Sequence, residues 1–387
     1  MKLQRFSVPV EYAVHSTWDV FHLGNATLGG VLTSQEPTRR HRALLVVDSG
    51  VVDTRPPSWR RDVDAYFAHH GVALVEAIAI PGGEVCKNDP AILDLLVAKM
   101  NEHGLDRQSF VVIVGGGAVL DVAGFAAAIA HRGLRAVRIP TTVLAQGDSG
   151  VGVKNGRNAF GKKNALGTFA PPFAVINDAR FLETLGRRDV VGGMAEAVKV
   201  ALVRDRLFFA WMRAHAAALA GCDPDAVAEL VRRSAELHLA HIATSGDPFE
   251  QGSARPLDFG HWAAHKLESM TAHRLRHGEA VAIGIAIDAL YSWLSGLCGE
   301  DVPEAALGLL ERLGLRLWDD ALDARGADGR LHLLAGLEEF REHLGGELTV
   351  TMLRAIGDGC EIHALDEPRL LEAFARLRGR AVRAGAA

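Results

Sequence analysis

The feature that most constrains the fold is the alternation of strand-like and helix-like segments through the first half of the chain. Helical signals lie between the strands: Asp89-Pro90 pairs an N-cap with a proline at the first helical position, and apolar residues continue to Met100. Strands that alternate with helices favour a mainly parallel sheet. Short apolar runs typical of buried strands occupy residues 43–47, 72–78, 110–114, 136–139 and 174–176.

Beyond Arg180 the strand signals fade and long helical patterns replace them. We expect a domain boundary near Leu185-Gly186, with an α/β domain at 1–185 and an all-α domain at 186–387. Only the tail, 380–387, is expected to be frayed. The predicted helices are 191–203, 225–243, 259–272, 279–297 and 303–313.

Composition narrows the class of protein. The net charge of -5 gives no indication of a nucleic-acid-binding surface. The four cysteines are far apart with no CxxC pair, which argues against a disulfide framework and fits a reducing compartment. The N-terminus leads into no signal core, and no apolar run is long enough to cross a membrane. We therefore expect a cytoplasmic protein with neither nucleic-acid nor membrane partners.

Glycine-rich turns follow several predicted strands. Gly115-Gly116-Gly117 lies between a strand and the predicted helix 118–130, where backbone N–H groups and the helix dipole suit a phosphate. A tight turn alone would also explain these glycines, and the turn at 81–84 with Lys87 is open to the same two interpretations. Residues 148–164 combine glycines with several cations, which predicts a flexible loop that holds an anionic substrate; a basic surface loop is the alternative.

Three histidines and one glutamate suggest a metal site. His261 and His265 are four residues apart and share a helical face, and His277 begins another apolar run. Glu196 lies among small apolar residues, where a buried carboxylate needs a cation or a donor. Two histidines, a glutamate and an open position form the ligand set of a catalytic zinc. The alternative is that the histidines cap helices or pair with carboxylates.

Taken together, the motifs resemble the sugar phosphate cyclases, the family of 3-dehydroquinate synthase and the C7-cyclitol synthases. The resemblance extends from about Asp48 to Asp366. It rests on PGGExxK, GGGAVLDVAGFAA, His131-Arg132-Gly133, RIPTTVLAQGDSGVGVK, GKKNALGTF, GGMAEAVK, DFGHxxxH and HGEAVAIG.

The resemblance implies an α/β N-terminal NAD-binding domain with a mainly parallel sheet, an all-α metal-binding domain, and a homodimer. By matching position, NAD would be held by Asp48, Glu84, Lys87, Gly115, Gly116, Gly117, Asp121, Thr141, Thr142, Asp148, Lys163 and Thr184. Zinc, or cobalt in its place, would be held by Glu196, His261 and His277. The substrate site would include Asp148, Lys154, Asn164, Lys199 and His265, with Arg132 reaching the substrate phosphate across the dimer interface.

The implied reaction is redox-neutral. NAD takes a hydride from a ring hydroxyl and later returns it, phosphate leaves by β-elimination, and an intramolecular aldol addition closes a carbocycle. In such a reaction the protein has to position groups and supply charge.

Three positions depart from the dehydroquinate synthase pattern. His238 stands at a lysine position, Asp258 stands at an asparagine position, and Arg255 is shifted by one residue. An aspartate would repel a substrate carboxylate, which favours a neutral-headed heptulose 7-phosphate such as sedoheptulose 7-phosphate. The alternatives are 3-dehydroquinate synthase itself, a metal-dependent alcohol dehydrogenase and a non-catalytic NAD-binding protein.

Overall fold

The computed structural model describes residues 1–250 and 256–385, which form two compact units. Unit 1 comprises residues 1–145 and 149–184, and unit 2 comprises 146–148 and 185–387. No helix in these described ranges is both long and apolar enough to cross a membrane.

Unit 1 is built on a six-stranded sheet with strand order β1-β8-β5-β4-β2-β3. Every adjacent pair is parallel, which confirms the predicted sheet. The sequence did not signal the edge strand β1, because it is short and only half-buried. The sheet strands are β1 Ala13–Thr17, β2 Arg42–Asp48, β3 Ala73–Ile80, β4 Phe110–Gly115, β5 Arg135–Pro140 and β8 Ala174–Asp178.

Helices cover both faces of this sheet. Leu44 and Leu45, neighbours on β2, are both fully buried and belong to two separate hydrophobic clusters. Both faces of the strand are thus buried, as continuous apolar strands require. The helices of unit 1 are α1 Thr27–Thr33, α2 Ser49–Asp53, α3 Trp59–His69, α4 Glu84–Asn88, α5 Pro90–Glu102 and α6 Gly117–Ile129.

The predicted flexible loop at 148–164 is wrong for most of its length. Residues Lys154–Ala159 (β6) and Lys162–Phe169 (β7) pair as an antiparallel hairpin. Phe160 and Gly161 both have positive φ, 55° and 70°, as in a two-residue hairpin turn. The cations masked the strands, since β7 is largely exposed and lacks an apolar alternation.

Unit 2 is mainly helical, as predicted, and centres on two helices that are buried on all sides, α7 and α12. It also contains one hairpin, β9 Val350–Ala355 and β10 Asp358–Ile362, that the sequence did not signal. Its helices are α7 Arg187–Arg204, α8 Arg206–Ala214, α9 Ala216–Ala220, α10 Pro224–Thr244, α11 His261–Met270, α12 His277–Leu294, α13 Asp301–Leu313, α14 Ala335–His343 and α15 Glu367–Gly385.

The tail is not frayed over residues 380–385, because helix α15 continues to Gly385. Arg380 forms ion pairs with Glu304 and Glu311 of α13. The expectation of a frayed tail is therefore wrong for these residues, which form the end of an amphipathic helix.

Candidate functional site

Glycines allow the helices that carry the predicted metal ligands to approach closely. A Cβ on Gly278 would lie 1.9 Å from the carbonyl oxygen of Gly192, and one on Gly284 would lie 2.0 Å from that of Gly260. No other residue fits at such contacts. The first contact brings α12 against α7 one helical turn before Glu196, and so places His277 beside that carboxylate.

The three predicted metal ligands meet inside unit 2. The Oε1 atom of Glu196 lies 3.1 Å from Nε2 of His277 and 3.4 Å from Nε2 of His261. One ligand atom from each residue lies within 4.8 Å of the other two. Glu196 is only 2% exposed and His261 7%, whereas the side chain of His277 is 26% exposed, so solvent reaches the cluster mainly at His277.

Each histidine ring is fixed through its other nitrogen. Nδ1 of His261 lies 3.2 Å from the carbonyl oxygen of Phe259, and Nδ1 of His277 lies 3.1 Å from Oε2 of Glu268. Both contacts direct Nε2 toward Glu196, an arrangement typical of metal-binding histidines. Sequence reasoning missed Glu268, although its spacing of seven residues from His261 on one helical face could have signalled it.

Asp288, on α12, contacts the start of α11. Its carboxylate is fully buried and accepts hydrogen bonds of 2.8 Å from the backbone N–H of Gly260 and from Nε1 of Trp262. Burial raises the pKa of Asp288 to about 7, although both donors oppose that shift. These two contacts flank His261 and hold the left-handed Gly260 (φ +79°). The sequence analysis missed Asp288 too, although it is the one acid within the apolar run 280–290.

Carboxylates surround the buried ammonium group of Lys199. Nζ lies 2.5 Å from Oε2 of Glu196 and 3.5 Å from Oδ2 of Asp148. Burial disfavours the charged ammonium, but Glu196, Asp148 and Asp258 outweigh burial and hold the pKa of Lys199 above its usual range. Burial also opposes ionisation of Glu196, yet Lys199 and His261 keep its pKa well below the usual range. Both groups are therefore ionised at neutral pH.

The remaining predicted residues of unit 2 adjoin this cluster. Nδ1 of His238 lies 3.0 Å from Oδ1 of Asp148. The ring of His265 lies 5.3 Å from that of His261, between centroids, and stacks at 6.2 Å on that of His277. Arg255 lies outside the described residues.

In unit 1 the predicted cofactor residues meet at the carboxyl ends of three adjacent strands. Asp48 ends β2, Gly82 follows β3 and Gly115 ends β4. A Cβ on Gly82 would lie 2.4 Å from Oδ1 of Asp48, and one on Gly115 would lie 3.2 Å from Cβ of Asp48. Gly116 caps α6 without a side-chain hydrogen bond, and Gly117 begins that helix. The predicted glycine turn therefore leaves a helix N-terminus at the edge where parallel sheets bind ligands.

A polar network accompanies this turn. Lys87 is 2% exposed, and its Nζ lies 2.6 Å from Oδ2 of Asp121 and 2.5 Å from Oδ1 of Asn164. Burial opposes the charge on Lys87, but Asp121 and Glu84 raise its pKa. Lys163 lies 3.9 Å from Glu84. The structure thus brings together five residues that sequence reasoning had divided between cofactor and substrate.

Other predicted positions of unit 1 are more scattered. The backbone N–H of Thr141 donates to the carbonyl of Gly115 at 3.0 Å, and Oγ1 of Thr142 accepts from the N–H of Ala145. Thr184 donates its hydroxyl to the carbonyl of Phe181, away from the glycine turn in sequence. Arg132 is exposed and has a φ of 63°, a strained value for a non-glycine residue.

Comparisons with known proteins identify the family. The 3-dehydroquinate synthase N-terminal family matches residues 77–192, and the 3-dehydroquinate synthase C-terminal family matches residues 193–331. A 3-dehydroquinate synthase of Cereibacter sphaeroides is 39% identical over 297 residues, which cover 76% of this chain and 78% of that protein. One from Ruegeria pomeroyi is 36% identical over 322 residues, covering 82% of this chain and 84% of that one.

Solved structures give the same family. A 2-epi-5-epi-valiolone synthase from Streptomyces hygroscopicus subsp. jinggangensis, solved with NAD+ and Zn2+ bound, superposes with a TM-score of 0.86 at 28% identity and covers 98% of this chain and all of that one. A 2-deoxy-scyllo-inosose synthase shares the fold, with a TM-score of 0.71 at 22% identity over 93% of this chain and 95% of that one. The chain therefore belongs to the 3-dehydroquinate synthase family of sugar phosphate cyclases, enzymes that eliminate phosphate as they form a carbocycle.

Proposed function

We propose that this enzyme uses NAD and zinc to convert a neutral-headed heptulose 7-phosphate, such as sedoheptulose 7-phosphate, into a carbocycle with release of phosphate. The choice of a neutral-headed substrate rests on the carboxylates of Glu196, Asp148 and Asp258, which act on the ammonium group of Lys199. We also propose that the enzyme is a homodimer in which Arg132 of one subunit reaches the phosphate bound by the other.

The residues of unit 2 fit a zinc ion. A buried carboxylate faces two imidazole Nε2 atoms, and each imidazole is oriented through its Nδ1 atom. Glu196, His261 and His277 would hold the ion and leave a position for substrate oxygen. When bound, zinc would act as a Lewis acid on that oxygen. Cobalt would suit the same ligands.

The residues of unit 1 fit NAD. The three glycines at 115–117 place no side chain of their own at the start of α6, so a diphosphate could approach its backbone N–H groups. The half-buried Asp48 carboxylate lies at the same edge, where it would accept hydrogen bonds from a ribose. Bound NAD would supply a reversible hydride acceptor.

The protein's own side chains supply fixed charge. Lys199 keeps a buried positive charge beside the metal ligand Glu196, where it would stabilise an enolate that develops next to the metal-bound oxygen. We assign Lys154 to the leaving phosphate and His265 to proton transfer. Asp148 fixes His238 and Lys199 at once, which holds both relative to the metal ligands.

The same electrostatics argue against a carboxylated substrate. Asp148, Glu196 and Asp258 all act on Lys199, and His238 lies against Asp148. A substrate carboxylate near Asp258 would be repelled, whereas neutral hydroxyls could donate hydrogen bonds to it. The repulsion of roughly 3 kcal/mol expected in a partly desolvated site corresponds to about a hundredfold in rate.

A specific observation favours a second candidate, 3-dehydroquinate synthase. The sequence relatives that carry this name are 36% and 39% identical to the chain. In this case another cation would have to hold the substrate carboxylate.

The test compares phosphate release from sedoheptulose 7-phosphate and from the carboxylated heptulosonate phosphate of 3-dehydroquinate synthase, with NAD and zinc present. We expect the neutral-headed sugar to be preferred by about a hundredfold. Asp258→Asn combined with His238→Lys should narrow that preference. Equal or faster turnover of the carboxylated sugar by the unmodified enzyme would show that the second candidate is correct. NADH accumulating in proportion to product would instead indicate a dehydrogenase.

A further inference from the structure

Arg138 is the most deeply buried cation of unit 1. It lies on β5 and is 1% exposed. In the described part of the chain no carboxylate lies within ion-pair distance of its guanidinium. The electrostatic interactions that favour its charge come from Asp121 and from the phenol of Tyr12. Burying a guanidinium without an ion pair is costly, so its hydrogen bonds must serve a purpose that an apolar residue could not.

The guanidinium donates to four oxygens of one short segment. Nη1 donates to the carbonyls of Gly150 and Gly152, at 3.2 and 2.7 Å. Nη2 donates to the carbonyl of Lys154 at 2.9 Å and to Oδ1 of Asn155 at 2.6 Å. The planar fork of arginine can reach all four at once, whereas a lysine ammonium has only three donors on a single atom.

Two further donors form hydrogen bonds with carbonyl groups of the segment from Gly150 to Asn155. The hydroxyl of Tyr12 donates to the carbonyl of Val151 at 2.8 Å, and the N–H of Ala170 donates to that of Val153 at 2.8 Å. Five consecutive carbonyls, from Gly150 to Lys154, are therefore all hydrogen-bonded. Residues 150–153 and 155–156 are buried, while the Lys154 side chain is exposed. The exposed side chain of Lys154 thus extends from a backbone segment whose carbonyl groups are all hydrogen-bonded.

Helix α6 abuts the same contact. Gly124 faces Asn155, and a Cβ there would lie 1.9 Å from Oδ1 of Asn155 and 3.7 Å from Nη2 of Arg138. The helix that begins at the glycine turn and the segment that carries Lys154 are therefore packed together at this point. Any side chain at residue 124 would push Asn155 away from the guanidinium.

We propose that Arg138 is a positioning residue, whose buried guanidinium fixes the backbone from Gly150 to Asn155 and so sets the position of Lys154. The inference rests on the proposed role of Lys154 as a phosphate-binding residue. Arg138 touches neither substrate nor cofactor in this account; it acts through the segment that it holds.

The test uses Arg138→Met, which keeps most of the unbranched stem of the side chain and removes all four hydrogen bonds. Hydrogen exchange of the purified protein should accelerate in peptides that cover residues 150–156 and stay unchanged in α7 and α12. The kcat/KM for the sugar phosphate should fall about a hundredfold, as expected for a misplaced binding group. Arg138→Lys should restore part of both. Arg135→Met, on the same strand but bonded to Glu36 and Gln108, is the matched control and should leave 150–156 protected.

A second variant covers the case in which Arg138→Met does not fold. Gly124→Ala should accelerate exchange at 150–156 in the same way, whereas Gly308→Ala, at a helical glycine with open space around it, should not. Unchanged exchange and unchanged kcat/KM in Arg138→Lys and Gly124→Ala, with only a lower Tm, would overturn the proposal. Exchange does not depend on the substrate. If the unmodified enzyme releases no phosphate from either sugar, the proposed function fails while the exchange result still decides whether Arg138 fixes the segment.

Discussion

Asp288 offers a sharp test of how the helix that carries the proposed metal ligand His261 is supported. Its fully buried carboxylate accepts hydrogen bonds from Gly260 and Trp262, the two residues on either side of His261. Asp288→Asn removes the charge and preserves the shape. One of the two donors would then face an amide N–H in place of an oxygen.

The size of the expected change in unfolding free energy follows from the linkage between proton binding and folding. Burial raises the pKa of Asp288 from 3.8 to about 7 in the folded protein. Between these values the folded state binds more protons than the unfolded chain, so the stability contributed by this group falls as pH rises and becomes constant above pH 7. Each pH unit in that window is worth about 1.4 kcal/mol. From pH 5 to pH 8, the wild type should therefore lose roughly 3 kcal/mol relative to Asp288→Asn.

Urea unfolding of both proteins at several pH values, with a chelator present, measures this difference. Because the two proteins differ only at residue 288, the comparison isolates the contribution of Asp288. Zinc titration of the metal-free proteins, after the chelator has been removed, should show affinity about tenfold weaker in the variant at neutral pH, because the contacts that orient His261 are disturbed. A difference in unfolding free energy that stays constant from pH 5 to 8 would mean that the two N–H donors already hold the anion at an ordinary pKa, and the reasoning would be refuted.

Three further predictions concern the same centre. His261→Ala should lose both zinc and activity, because two ligands rarely hold the ion tightly, and full zinc occupancy in that variant would exclude this ligand set. Glu268→Gln should weaken zinc binding about tenfold to a hundredfold in a competition titration while the circular dichroism of the protein is unchanged; wild-type affinity would mean that Glu268 does not orient His277. Gly278→Ala should cost about 3 kcal/mol in unfolding free energy, since its Cβ would collide with the backbone of α7, whereas Gly308→Ala should be neutral; equal effects would contradict the close contact.

Sequence reasoning captured the parts of the fold that depend on local patterns. The strand at 110–114 followed by three glycines and a helix was predicted because apolar runs and glycines are explicit in sequence. The hairpin β6–β7 was not, because its strands carry cations and its partner contacts, not its composition, make it a sheet. Strand β1 was missed for a related reason, since its pairing with β8 joins residues that are far apart in the chain.

The candidate site shows the same division. His261, His277 and Glu196 could be chosen because ligand types and spacing are visible in sequence. Glu268 and Asp288 were missed, because an acid in a helical pattern is usually on a solvated face, although the seven-residue spacing of Glu268 from His261 and the apolar run around Asp288 are visible in the sequence. Only the tertiary contacts show that one orients His277 and that the other supports the start of α11.

Arg138 and Asp288 are both buried ionisable side chains that form hydrogen bonds with the backbone beside a proposed site residue. In unit 1 the buried guanidinium of Arg138, with no contacting carboxylate in the part of the chain described, donates to backbone oxygens. In unit 2 the buried carboxyl group of Asp288, whose pKa burial raises to about 7, accepts hydrogen bonds from two N–H donors. Each holds the backbone immediately next to one functional side chain, Lys154 or His261. Burying an unpaired charge is costly, and a well-packed apolar residue would often stabilise a fold equally well. Arg138 and Asp288 both lie where buried side chains form hydrogen bonds with the backbone. Hydrogen bonds to a charged group are stronger and more directional than apolar contacts, so they can fix a backbone position that apolar contacts would not. We therefore expect Arg138 and Asp288 to contribute to the positions of Lys154 and His261 more than to the stability of the fold.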